Sequence, residues 1–354
     1  MKATFPCLGY DTCAIRAFFD NVGIEVVEPP PISKKTIELG VRHSPELICM
    51  PFKITLGSFI EAMEAGADTF FMAAGARRCR FGYYHYLQGQ ILRQLCPDCR
   101  LVPVGQYSPY EFFFRQMPRV LDVRTVDVIR ALRMMLVKSV LTREFRQRLN
   151  RLRAVDFDRA EELKRPVYDM VSRAGTTAEV NAVRRELRQR LSANGCRPEV
   201  TVGLVGEIYY TVEQAANQSL ELELGRLGAD VLFERSLYHH LRYLLRVDVS
   251  SYRSRRLARR YLRECPGGEA LRTVGEAMYY HRQGVDGIIH VFPFTCMPEN
   301  IALEALQKLS EETGMPVLSL SFDEHTSPTG LVTRLEAFVD LIRRRKRGRR
   351  LHRS

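Results

Sequence analysis

The stretch Thr69-Phe70-Phe71-Met72-Ala73 is apolar almost throughout. A strand with one wet face alternates polar and apolar residues. A continuous run instead means cover on both faces, as in a parallel sheet flanked by helices. The neighbouring sequence agrees. Lys2 to Phe5 reads as a short strand, Ala14 to Asn21 as a helix, and Glu25-Val26-Val27 as a second strand stopped by Pro29-Pro30-Pro31. Ser33 is placed to cap a helix through Leu39. A helix from about Leu56 to Ala65, broken at Gly66, precedes the apolar run. A helix over Tyr83 to Leu95 and a strand at Arg100 to Val104 follow it.

From Pro109 to Asn194 the texture changes. Val126 to Leu149, Asp158 to Arg173 and Thr177 to Leu191 carry apolar residues three and four apart, with arginines between them, as amphipathic helices do. The strand–helix alternation then returns. Strands are predicted at Thr201 to Gly206, Asp230 to Phe233, Gly287 to Val291 and Pro316 to Ser321. The helices between them run from Gly206 to about Leu227 and from Ile301 to Glu312, with a last helix starting at Leu331. Alternation with short links implies parallel sheets, and 354 residues suffice for two cores. The expected fold is α/β: two Rossmann-like parallel-sheet domains over residues 1–108 and 199–342, separated by an arginine-rich helical segment over 109–198. A basic, disordered tail is expected over 343–354.

A faint repeat links the halves. Gly66-Ala67-Asp68 precedes an apolar strand leading to Cys79, and Gly284-Val285-Asp286 precedes one leading to Cys296. Open parallel sheets bind ligands beyond the carboxyl ends of their strands, where both cysteines fall. Cys-Met-Pro also occurs twice, at Cys49-Met50-Pro51 and Cys296-Met297-Pro298, though not at equivalent points of the repeat.

The chain has nine cysteines. Met1 to Cys7 lacks the long apolar core of a secretory signal, and no run of about 18 apolar residues occurs. A cytoplasmic location without membrane contact is the default, and cytosolic thiols stay reduced. Thiolates are soft donors that favour iron–sulfur clusters, zinc or copper(I). Widely separated cysteines after strands suit a cluster assembled from loops of two domains; buried thiols in tight turns are the other reading. The C-x-x-C at Cys96-Pro97-Asp98-Cys99 has no second pair and reads as incidental thiols, with metal binding or a redox pair as alternatives.

The net charge of +12 invites a polyanion partner. Much of the excess lies in Arg343 to Arg353, which reads as a solvated tail, and no base-reading motif accompanies it. Nucleic acid is not an expected partner. No Walker-type phosphate loop occurs either, so the chain itself is not expected to hydrolyse ATP.

Three segments carry a family resemblance: Ser44 to Gly57, Cys79-Arg80-Phe81-Gly82-Tyr83-Tyr84, and Phe292 to Glu299. Val205-Gly206-Glu207-Ile208-Tyr209, and Asp323-Glu324-His325-Thr326 leading to Thr333 through Phe338, extend it. In order and content these resemble the 2-hydroxyacyl-CoA dehydratase superfamily, in its branch of acyl-CoA dehydratase activase-related proteins, over nearly the whole chain except the arginine-rich middle. The resemblance implies a 4Fe-4S cluster on Cys49, Cys79 and Cys296. It also implies low-potential electrons from a separate ATP-dependent activator, an actin-like ATPase with its own cluster, and a small substrate such as an acyl-CoA that is reduced or dehydrated. Glu207 and His325 are the catalytic candidates, and Lys53 and Arg80 candidate counter-charges.

Departures from the family pattern bear on that chemistry. Relatives often read Gly-Cys-Gly-Pro-Cys where this chain has Gly75-Ala76-Arg77-Arg78-Cys79, and a glycine–histidine-rich loop is reduced to Pro266-Gly267-Gly268-Glu269. Cys7 stands where a histidine is expected and is a candidate fourth ligand. Four sulfur ligands would close the cluster, making the chain a non-catalytic electron-transfer or accessory iron–sulfur protein. His239-His240 lacks the spacing of a helical metal pair and reads as surface.

Overall fold

A computed structural model of the chain describes residues 1–75, 79–105, 109–244 and 247–351. Ala76, Arg77 and Arg78, where the family's extra thiol is missing, lie outside the described residues, as do the last three of the basic tail. Among the described residues no helix is long and apolar enough to cross a membrane.

The N-terminal unit runs β1 (Lys2–Thr4), α1 (Thr12–Asn21), β2 (Glu25–Val26), α2 (Lys34–His43), α3 (Met50–Glu64), β3 (Thr69–Ala73), α4 (Tyr84–Leu95) and β4 (Arg100–Val104). Its four strands are all parallel in the order β2-β1-β3-β4, with β3 and β4 in register from Thr69↔Arg100 to Ala73↔Val104. Ser33 caps α2 as expected, in a reciprocal capping box with Thr36. Helix α3 starts at Met50, a full turn and a half before the predicted Leu56, because Pro51 needs no hydrogen-bond partner in a first turn.

The middle segment is helical throughout its described elements. A short α5 (Pro109–Glu111) continues through a π-helical turn, Phe112–Gln116, into α6 (Met117–Leu121). Then come α7 (Thr125–Val155), α8 (Phe157–Arg173) and α9 (Thr177–Arg190). Helix α7 is 31 residues long, and its Leu141, Phe145, Leu149 and Leu152 are fully buried in a core shared with α8 and α9.

The C-terminal unit comprises β5 (Val200–Gly206), α10 (Ile208–Val212), α11 (Leu220–Arg226), β6 (Ala229–Phe233), α12 (Leu237–Leu244), α13 (Val249–Ala258) and α14 (Ala270–Arg282). It closes with β7 (Gly287–Pro293), α15 (Met297–Thr313), β8 (Val317–Phe322) and α16 (Pro328–Leu351). Its parallel strands are ordered β6-β5-β7-β8, the same topology as the first sheet. The sequence repeat is therefore a repeat of fold: Gly66 and Gly284 both take positive φ just after a helix, and β3 and β7 occupy the same sheet position.

Two expectations are corrected. The single helix predicted after Gly206 is split into α10 and α11, because Gln218 and Ser219 adopt left-handed φ angles of 56° and 58°. Residues 343–351 are helical rather than disordered: α16 extends through Leu351, and Arg343, Arg345 and Lys346 have acceptors on the C-terminal unit. Arg343 reaches Glu199 at 3.0 Å and the Leu227 carbonyl at 2.7 Å, and Lys346 reaches Asp286 at 2.8 Å.

Candidate functional site

In both sheets the chain runs from the first strand to one side and then crosses over to the other, so a crevice opens at the carboxyl ends of β1 and β3, and again at β5 and β7. One cavity of about 1020 Å³ is lined from both. Pro6 beyond β1 and Gly75 and Cys79 beyond β3 contribute from the N-terminal sheet; Glu207 beyond β5 and Cys296 beyond β7 contribute from the C-terminal one.

The three expected ligands share a local setting. Cys49 is the N-cap of α3, Cys296 the N-cap of α15 and Cys79 the N-cap of a 3-10 turn at Arg80–Tyr83, none of them through a side-chain cap bond. The recurrent Cys-Met-Pro is thus one device used twice, with proline in the first turn and the thiol left free. Cys79 and Cys296 line the cavity. Cys49 sits behind them, its thiol 4.0 Å from the Thr295 carbonyl, and lies within electrostatic reach of both. Burial pushes the Cys79 and Cys296 thiols up, with Glu299 and Glu207 adding to the effect at Cys296. The Tyr84 hydroxyl, buried over the same group, interacts with the Cys49 thiol. Arg80 donates to the Leu47 carbonyl at 2.7 Å, which ties the Cys79 turn to the loop carrying Cys49.

Glu207 both caps and faces the cavity. Its Oε2 accepts from the Tyr210 backbone N–H at 3.1 Å, and burial pushes its carboxyl up to about 7 despite that bond. Its neighbour Tyr209 also lines the cavity, and the Tyr209 hydroxyl has no hydrogen-bond partner among the described residues. Glu299, in the first turn of α15, is the acid that sequence reasoning missed. It joins a buried chain in which His290 Nε2 meets Glu299 at 2.9 Å, Thr273 donates to Glu299 at 3.1 Å and Arg235 donates to Thr273 at 2.9 Å. The one sequence signal for this chain is His290 itself, a polar residue inside the apolar run of β7.

Other candidates are placed elsewhere. His325 is exposed in a turn where its backbone N–H binds Asp323 at 2.9 Å, and it does not line the cavity. Lys53 is buried and paired with Glu324 at 3.1 Å. Cys7 turns away from the cavity and donates toward the Pro30 carbonyl at 3.3 Å, its pKa raised by burial to about 12. Cys96 and Cys99 are joined by a disulfide at the end of α4 rather than being incidental free thiols. His239 is not surface but buried, with burial lowering its pKa to about 3.

Among the described residues no three His, Cys, Asp or Glu side chains are arranged tightly enough to hold a single metal ion. A cluster makes a different demand: soft thiolates spread around a larger inorganic core. The donor set fits that demand, with three cysteines converging from loops of both sheets and helix N-termini beside their sulfurs.

Two parallel-sheet units sharing a cavity at their switch points define an α/β protein of two Rossmann-like units. The sequence profile of 2-hydroxyglutaryl-CoA dehydratase, D-component, matches residues 111–342. The chain belongs to this family. A second profile, the CoA enzyme activase uncharacterised domain, matches residues 9–75. The first match includes the arginine-rich middle, which the motif resemblance left out; Cys296 lies within it and Cys49 within the second. No curated protein matches the chain.

Proposed function

We propose that the chain is the iron–sulfur component of an acyl-CoA dehydratase-like system, with Cys49, Cys79 and Cys296 holding one 4Fe-4S cluster at the cavity. Electrons come from a separate ATP-dependent activator, and the substrate is a CoA thioester that is reduced or dehydrated. The observation that carries this reading is that three cysteines at helix N-cap positions gather from both sheet units at one cavity, Cys79 and Cys296 lining it and Cys49 within electrostatic reach of both. When bound, the cluster would supply low-potential electrons and an iron open to a substrate oxygen.

The chain's own groups have defined tasks in this reading. The backbone N–H groups of Glu299 and Phe81 face the Cys296 and Cys79 thiols and offset negative charge at those sulfurs. Glu207, with a pKa of about 7, holds a proton in part of the population at neutral pH and can pass it to a departing hydroxyl. The closed-cluster alternative needs Cys7, which points to Pro30 instead.

The test is anaerobic purification with iron and sulfide analysis and EPR. The wild type should hold about four irons and four sulfides per chain. Cys49→Ser, Cys79→Ser and Cys296→Ser should each lose most of that iron, while Cys7→Ser should keep it. A colourless wild-type preparation that anaerobic reconstitution leaves empty would overturn the proposal.

A further inference from the structure

The cavity is not uniform. Its thiol end carries the charged groups, whereas its other end is a hollow in the core between the N-terminal sheet and α1, α7 and α12. Phe5, Phe18, Phe71, Phe113 and Leu241 wall that hollow, and all five are buried. A volume of about 1020 Å³ is at the upper end of what small-molecule sites offer. Of the arginines lining the cavity, one is set among acids and the other is exposed. Arg272 is held by Glu276 at 2.9 Å, with Asp248 at 3.8 Å and Glu269 at 3.9 Å, and Arg255 is exposed on α13. Among the described residues, the other ionisable side chains at the lining, cysteines and tyrosines aside, are the acids Glu207, Glu299, Glu269 and Asp248 together with His240 of α12.

We infer that the hollow is an acyl chamber selecting uncharged aliphatic or aryl acyl groups, so that this chain discriminates against dicarboxylic thioesters such as the glutaryl type in its family's name. The inference rests on the CoA-thioester reading above and specifies its substrate class. A second carboxylate would enter among phenylalanines or beside buried acids, where an unpaired charge is strongly disfavoured. Each methylene placed in the hollow instead leaves water, worth about a fourfold gain in affinity.

Titration calorimetry on the anaerobically purified full chain, using thioesters without a hydroxyl, tests this. Butyryl-, hexanoyl- and octanoyl-CoA should bind with stepwise tighter affinity, and glutaryl-CoA at least about tenfold more weakly than hexanoyl-CoA. Glutaryl-CoA binding as tightly as hexanoyl-CoA, or affinities flat across the series, would overturn the chamber while leaving the CoA reading intact. Octanol binding without any CoA thioester binding would keep the chamber and sink the CoA reading. Ile15→Trp and Leu237→Trp, both at the lining, are checked for folding by circular dichroism and thermal melting. Each should lose the preference for octanoyl over butyryl; a folded variant that keeps it counts against the chamber.

Discussion

Glu207 carries two demands that pull in opposite directions. Capping the start of α10 favours the carboxylate, because an ionised oxygen accepts a backbone N–H strongly. Burial favours the neutral acid, and burial wins, raising the pKa from 4.5 to about 7. The consequence for stability has a definite sign. A folded-state pKa above the unfolded value gives stability that is fully present below 4.5 and lost as pH rises through about 7. Glu207→Gln keeps a cap acceptor without titrating. In iron-free protein it should therefore gain roughly 2–3 kcal/mol relative to wild type between pH 4.5 and pH 8. Urea unfolding at both pH values measures this, and a gap independent of pH would refute it. Glu207 was legible in the sequence because it follows a strand-ending glycine. Glu299 was not, since its role depends on His290 and Thr273, which reach it only across the sheet and from α14. His325 and Cys7 had the right chemistry but point elsewhere, and side-chain direction is not written in a one-dimensional spacing.

The placement of Cys49 depends on how closely α2 and α3 cross. A Cβ on Gly40 would lie 1.8 Å from the Lys53 carbonyl oxygen, and one on Gly57 would lie 1.9 Å from that of Thr36. Backbone meets backbone at both points, so neither position has room for a side chain. Gly57→Ala should cost roughly 2–3 kcal/mol through overpacking, measured by chemical denaturation. Gly348→Ala in α16, with nothing near its Cβ, should be neutral or slightly stabilising. Equal effects of the two substitutions would refute the close-crossing argument. At this scale the strands were the most legible part: β3 and β4 fall on the predicted residues, because a doubly covered strand needs an apolar run. Helices α12 to α14 carried no assigned prediction, and in α14 the burial of Arg272 and Glu276 shows why. A helix that hides charged residues in ion pairs has no clean apolar stripe to read.

Across the whole molecule, α7 is the common support. Its Thr142 bonds Asp11 near the start of α1, and the same carboxylate accepts from Leu237 at 2.8 Å. Four residues on, Arg146 pairs with Glu221 at 2.7 Å, donates to the Thr211 carbonyl at 2.6 Å and lies 3.9 Å over the Phe233 ring. Both partners are buried, so Arg146→Ala strands a carboxylate and should cost about 3–5 kcal/mol. Because α7 touches both units, the loss should appear in a single unfolding transition. Two separate calorimetric transitions, with only one shifted, would show that α7 does not couple the halves. The repeated topology was visible beforehand as two Gly-x-Asp turns before cysteine-tipped strands. The ordered α16 was hidden because a run of arginines looks the same in sequence whether or not carboxylates wait for it.

The helix-capping cysteines also set an order of events. Residues 49, 79 and 296 lie far apart along the chain and are brought together by elements of both sheet units. On the proposed reading, the polypeptide would reach its architecture first, with the inorganic centre added as a late step of maturation rather than serving as a nucleus for folding. On that reading, a cell starved of iron would accumulate this chain folded and empty, ready to be filled.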